Sequence, residues 1–401
     1  MEKAERAELK ISESAARKLN IDKDTQLSMV VNHHSIIVHP AQLVDQLPDV
    51  RLRWFIIPAV ILTIVFFVVC QVNHMRLVPL NGDRSIALAS MILGIVSGTI
   101  EFATSFIWQK VRRTGPCSDF YWRSLPPLLI ACGMILAFWF VASFWLIGQI
   151  FHGAIFDLYT STVFVFIILA AVNYLMLNLA MTLSPGIVTN LMTIMIIGGV
   201  LSSMLTNSRR NWWRYNFSFL GTDRNAGHWQ FNITLVFSAL LMITLVDYLF
   251  INLDRKYSGR GVLFLRILLY GQALTLAAIG IFPNNPRFHI LHDRISMWLV
   301  YFILIMILFI DRLLPECTPQ FRRLSYVMGG VMAADYIVFK VTNYLSLTAF
   351  ELLAFALALS WILLLFQNIE AITEYGENIF PLKIVVGEEK SKDSPHSQSH
   401  Q

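Results

Sequence analysis

WFIIPAVILTIVFFVVCQV, residues 54–72, runs for nineteen positions without a charged side chain. Wound as an α-helix at 1.5 Å per residue it would extend roughly 28 Å, close to the hydrocarbon thickness of a bilayer. A strand of a membrane barrel would read differently, as about ten residues of alternating apolar and polar character. This run is continuous, so the chain is expected to cross a membrane as helices.

Nine more runs of this kind follow, near 85–108, 126–148, 159–183, 186–206, 232–252, 263–282, 295–313, 323–343 and 347–367. Only Ser184, Pro185 and Gly186 divide the fourth from the fifth, a tight-turn signal that leaves the count between nine and eleven. The 401 residues would suffice for two or three soluble domains, but 56% hydrophobic and 14% charged residues, with a mean hydropathy of +0.59, exclude that class. The expected fold is an all-α polytopic membrane protein of about ten transmembrane helices with a small N-terminal α+β cytoplasmic unit. The first 50 residues hold no apolar core, which argues against a cleaved secretory signal and leaves the first span to insert the chain. Cys70, Cys117, Cys132 and Cys317 lie far apart without metal-ligand spacing, so no metal or disulfide is expected from them.

Loop charge orients the spans. A cytoplasmic N-terminus places Arg51 and Arg53, the Lys110, Arg112, Arg113 and Arg123 connection, Arg255, Lys256 and Arg260, then Arg312, Arg322 and Arg323, and finally Lys383, Lys390 and Lys392 inside. The positive-inside rule therefore predicts a multi-pass protein of the cell membrane with both termini cytoplasmic. One outer connection departs from the rule: SRRNWWRYNFSFLGTDRNAGHWQFN, residues 208–232, carries Arg209, Arg210, Arg214 and Arg224.

Four segments are expected: 1–50, a cytoplasmic unit; 51–206, the N-terminal membrane helices; 207–371, a second membrane domain; and 372–401, a polar, Ser-rich disordered tail. In the first, Leu9 and Ile11 alternate with polar residues, SESAARKL is helix-like, and Leu27, Met29 and Val31 alternate again before the NHHS turn and SIIVH. This strand, helix and hairpin order resembles one half of the swapped-hairpin fold of the AbrB and MazE family. The resemblance implies a homodimer through residues 1–50, since so small a unit is marginal alone. Members of that family often bind DNA, but eight Lys or Arg against eight Asp or Glu in residues 1–53 give no net basic face, which argues against nucleic acid.

The C-terminal spans carry FSFLGTD at 217–223, HWQFNITLVFSALLM at 228–242, AAIGIFPNN at 277–285 and FHILHDRISMW at 288–298. This succession is similar to the prokaryotic membrane family of domain of unknown function 998, at Asn216, Ser218, Leu220, Gly221, Phe231, Asn232, Gly280, Phe282, Pro283, His292 and Asp293. The whole arrangement looks like a longer form often labelled a permease, and its helix layout is distantly similar to the lipid-handling Frag, DRAM and Sfk proteins. The resemblance implies fold and location and carries no reaction.

On this topology the connections 208–232 and 284–294 open on the same outer side. They would gather Arg209, Arg210, Arg214, Asp223, His228, Arg287, His289, His292 and Asp293 as a ligand-binding set. Guanidinium forks match phosphate and carboxylate oxygens, and Trp212, Trp213, Tyr215 and Trp229 add flat amphipathic surface, so an anionic headgroup or solute suits them. Against this stands the ordinary use of Trp, Tyr and Arg as membrane anchors, with arginines reaching bulk lipid phosphates. His289, His292 and Asp293 would share a helix face as metal ligands or an acid–base pair, but H-x-x-H-D is short, and a helix-capping role for Asp293 is the simpler reading. No catalytic residue or metal site is assigned and no cofactor is called for.

Glu101, Asp247, Asp335 and Lys340 lie inside spans and Glu351 near a span end; each is expected to face the bundle interior or water, lining a proton path or acting as structural glue. Gly94 and Gly98 form G-x-x-x-G, read as close helix packing. No P-loop is present, so a permease driven by ATP would need a separate ATPase subunit. Membrane lipid is the remaining expected partner. Three functions stay open: a transporter-like permease or lipid-handling protein with an outward anion or headgroup site, a sensor or assembly protein dimerising through its N-terminal unit, and a metal-dependent membrane hydrolase.

Overall fold

The computed structural model describes residues 7–12, 27–32, 35–40, 52–225, 227–257, 259–314, 317–374 and 378–387. They fall into two compact units, residues 50–373 and the paired segments 1–49 and 374–401.

The larger unit holds ten long helices among the described residues: α1 Leu52–Val72, α2 Ile86–Arg112, α3 Leu125–Ile150, α4 Leu158–Met181, α5 Pro185–Thr206, α6 His228–Lys256, α7 Arg260–Ile281, α8 His289–Leu308, α9 Pro319–Ile337 and α10 Leu347–Glu374. All ten contain stretches long and apolar enough to cross a membrane. Their starts are written in the sequence. The Ser184 hydroxyl accepts the Ile187 N–H at 3.2 Å, with Pro185 at the first helical position, so the Ser-Pro-Gly turn does separate α4 from α5. Thr318 and Pro319 begin α9 in the same way, through the Phe321 N–H at 3.2 Å.

One core runs through this unit and ignores the 206/207 boundary expected from sequence. Leu136 and Phe140 of α3, Met192 of α5, Leu245 and Phe250 of α6, Met306 of α8 and Trp361 of α10 all belong to it. The α6 helix is the most enclosed, flanked by α5 and α7. Small residues permit the approach. A Cβ on Gly94 would lie 2.9 Å from the Phe140 ring, and one on Gly98 would lie 3.0 Å from Val172 and Met176, so the G-x-x-x-G pair seats α2 against α3 and α4. Away from the core the helices are apolar outward: Ile61, Val65, Val68 and Val69 of α1 are exposed. Contiguous apolar surface of this kind is tolerated in lipid and not in water.

Two connections pair as a short antiparallel ribbon, β4 Leu77–Pro79 with β5 Ile155–Asp157, while a helical turn at Ile310–Leu313 follows α8. (The labels β1 to β3 belong to the strands that precede α1.)

The smaller unit contains β1 Ala7–Ser12, β2 Leu27–Asn32, β3 Ser35–Pro40 and β6 Asn378–Gly387. The sheet order is β1-β6-β2-β3: β6 runs parallel to β1 and antiparallel to β2, and β2 and β3 form the expected hairpin. The SESAARKL helix lies outside the described residues. The disordered tail expected from 372 onward is corrected here, since α10 continues to Glu374 and Asn378–Gly387 is a strand. NIFPLKIVVG is rich in β-branched and aromatic residues, the signal that the polar, Ser-rich character of the following residues obscured.

Candidate functional site

Residues 208–221 fold as three short 3₁₀ turns, Ser208–Arg210, Trp212–Arg214 and Phe217–Gly221, rather than as an open loop. Trp212, Phe217 and Leu220 point into a small core with Phe231 and Leu235 of α6, and Phe217 meets Phe231 edge-on at 5.3 Å. Trp212 is therefore a buried anchor, not interfacial surface as its neighbours suggested. Trp213, Tyr215 and Trp229 are exposed.

Side chains from α10 and from the α7–α8 connection hold these turns. The Glu351 carboxylate of α10 accepts the Phe217 N–H, beside that of Ser218, at the start of the third turn. One helical turn earlier, the Thr348 hydroxyl donates to the Trp213 carbonyl at 2.9 Å. From the α7–α8 connection, Asn285 donates to an Asp223 carboxylate oxygen at 2.6 Å and accepts the Asp223 N–H at 3.0 Å. This reciprocal pair joins the two connections that the sequence placed on one side. Glu351 was noted only as a charge near a span end, and Asn285 and Thr348 were missed, because contacts so distant in sequence leave no local pattern.

The motif positions serve the same construction. Asn232 donates to the Gly221 carbonyl at 2.9 Å, and a Cβ on Gly221 would fall 2.3 Å from the Asn232 side chain. A Cβ on Gly280 would fall 2.5 Å from the Asn232 carbonyl oxygen. His292 Nδ1 donates to the Phe282 carbonyl at 2.7 Å. Gly221, Asn232, Gly280, Phe282 and His292 thus lock the adjoining ends of α6, α7 and α8.

The expected ligand set is only partly assembled. Arg209 and Arg214 are exposed and have no ion-pair or hydrogen-bond partner among the described residues, whereas the Arg210 side chain is not described. Asp223 is taken up by Asn285, His228 Nδ1 donates to the Asn225 carbonyl at 2.7 Å, and Arg287 lies over the Phe288 ring at 5.2 Å. The histidines divide. His289 lies 3.6 Å from Asp293 and donates to Asn284 at 2.6 Å, both on the exposed side, while His292 is buried. The shared face expected of His289, His292 and Asp293 is therefore corrected: a 100° step per residue turns His292 inward, away from the other two. Asp293 does not cap α8, which begins at His289 with Phe288 in the cap position and no side-chain cap bond. No cluster of three His, Cys, Asp or Glu able to hold a metal is found among the described residues.

The intramembrane charges also separate. At the opposite end of the bundle Asp247 of α6, 1% exposed, receives Arg123 through Nε at 2.8 Å and Nη2 at 2.6 Å, together with the Tyr270 hydroxyl. Arg266 adds a contact to Asp247 at 3.9 Å and a bond to Asp254 at 3.1 Å, so the turn leading into α3 is tied to α6 and α7 there. Such a buried carboxylate persists only because its partners are complete. Lys110 likewise donates to the Ser118 carbonyl at 2.6 Å and to that of Phe120, bracing the α2–α3 connection. In that connection burial pushes the Cys117 thiol up to about 12, against the opposing pull of Lys110. Glu101 is buried in α2, Asp335 lines a recess beside α9, and Lys340 is exposed in the π-helical turn Val338–Thr342. These four do not meet along one path.

Ten apolar helices about a shared core, with lipid-compatible outer faces, define a polytopic α-helical membrane protein. Within it, residues 191–368, from inside α5 to inside α10, match the family model described as Protein of unknown function (DUF998). The match contains Gly221, Asn232, Gly280, Phe282 and His292. No curated protein and no solved structure matches the chain.

Proposed function

We propose that this is a transporter-like or lipid-handling membrane protein whose outward-facing 207–227 connection receives the anionic headgroup of an amphiphile. The observation that carries this reading is a pair of arginines, Arg209 and Arg214, without partners among the described residues, on a connection tied down by Glu351, Thr348 and Asn285. A fixed backbone presenting unpaired guanidinium groups beside exposed Trp213 and Tyr215 suits phosphate oxygens on one side and the acyl boundary on the other. A merely anchoring loop has no need of so many long-range ties. Positive-inside charge favours this end outside and both chain termini inside, and ten crossings, which would return the chain to its starting side, agree with the pairing of β6 with β1.

The test uses the full chain in nanodiscs of phosphatidylcholine, with phosphatidylglycerol added stepwise. Native mass spectrometry should show phosphatidylglycerol retained by the wild type and lost after combined replacement of Arg209, Arg210 and Arg214 by alanine, with insertion unchanged. Equal retention by the triple variant would overturn the proposal.

The sheet bears on a second reading. In a sensor or assembly protein the N-terminal unit would carry the contact, and the chain's own β6 already fills the place between β1 and β2. A second copy would then pair through the edge strands β1 or β3 instead of supplying the missing strand.

A further inference from the structure

Asp335 of α9 takes no part in the contacts that hold the bundle ends. It is 8% exposed, and both carboxylate oxygens are buried without a hydrogen-bond partner among the described residues. It lines a recess of about 300 Å³ between α9 and α10, whose other walls include Val331, Ala334 and Val338 from α9 and Leu353 and Leu357 from α10. That volume lies at the small end of ligand pockets, space for roughly ten water molecules. Water is poorly held there, because a buried water needs two to four polar partners and the walls are apolar apart from the carboxylate.

The neighbouring charges do not neutralise it. Glu351, on the α10 wall side, is turned to the Phe217 N–H, and Lys340 is exposed in the π-turn beyond. Asp247 and its arginines are joined to one another at the opposite end of the bundle. A carboxyl group desolvated without counter-charge holds its proton, and a guest that brings one positive charge and otherwise apolar surface can take that proton's place. The α-helix gives way to the π-turn at Val338, itself a wall residue, and such turns mark places where a helix yields to function.

We propose that this recess binds a small apolar ammonium compound from the lipid phase, its cation on Asp335 and its hydrocarbon against Val331, Leu353 and Leu357. The site is separate from the arginine-bearing connection and calls for a ligand of opposite charge.

Binding of radiolabelled octylammonium to the full-length protein in detergent, read by scintillation proximity, tests this. Wild type should bind saturably, and Asp335→Asn should weaken binding about 10- to 100-fold, the range of a hydrogen bond to a charged group. Leu353→Trp, which fills the recess and keeps the carboxylate, should also abolish it, so the result does not hang on one variant. Unlabelled octanol should compete poorly. Equal binding by Asp335→Asn, undiminished binding by Leu353→Trp, or octanol competing as well as unlabelled octylammonium would each overturn the proposal.

Discussion

Replacing Glu351 by alanine should loosen the connection between α5 and α6 while leaving α10 in place. In the wild type the carboxylate accepts the Phe217 N–H, with that of Ser218 beside it, where the third 3₁₀ turn would otherwise leave donors without acceptors. Hydrogen bonds to charged groups contribute about 1.5–3 kcal/mol, and the abandoned N–H groups sit against an apolar cluster where water reaches them poorly. At about 1.4 kcal/mol for each factor of ten, local opening should become roughly 10- to 100-fold more frequent. Hydrogen–deuterium exchange in nanodiscs, followed on peptides spanning 212–222, measures this directly. Glu351→Gln keeps a carbonyl acceptor and should fall between wild type and alanine. Unchanged protection of those peptides in Glu351→Ala would refute the argument, as would a loss spread evenly along α10, which would report damage to the helix.

Gly280→Ala places a Cβ 2.5 Å from the Asn232 carbonyl oxygen, a backbone atom that cannot swing aside, so thermal unfolding in detergent should show a loss of about 1–3 kcal/mol; Gly330→Ala, with open space around it, serves as the neutral control. On intact cells, a cysteine introduced at Ser208 should react with a membrane-impermeant maleimide, and Cys317 only after lysis; Cys117 should stay silent throughout, its thiol buried and pushed up to about 12, and labelling of Cys317 in intact cells would reverse the topology. Asp157 caps α4 by accepting the Thr160 hydroxyl and N–H, which hold its carboxyl below the usual range, so its contribution is complete at neutral pH and lost as pH falls through that lowered value. Asp157→Asn should accordingly be less stable than wild type at pH 7, with the difference shrinking in acid; a constant difference would exclude the charge as its cause.

Much of the membrane fold was legible because lipid imposes a crude requirement, long apolar runs, that survives without knowledge of contacts. The Ser184-Pro185-Gly186 turn divided two helices as its residues implied. The start of α8 was misjudged because His289, His292 and Asp293 read as loop polarity, whereas His292 turns inward to a carbonyl from the preceding connection. The site was legible in composition and not in construction. Arginine and tryptophan announced an interface, but the ties made by Asn285, Thr348 and Glu351 join positions 62 to 135 residues apart, beyond any local periodicity.

The position of β6 has a consequence for biosynthesis. Its partners β1 and β2 leave the ribosome early, yet β6 is made only after the tenth span. At about 5–20 residues per second, roughly 20–70 s pass before it emerges. During that interval β2 has only β3 beside it, and its other edge is open to any other strand. Completion of the sheet would thus report that translation has passed the tenth span.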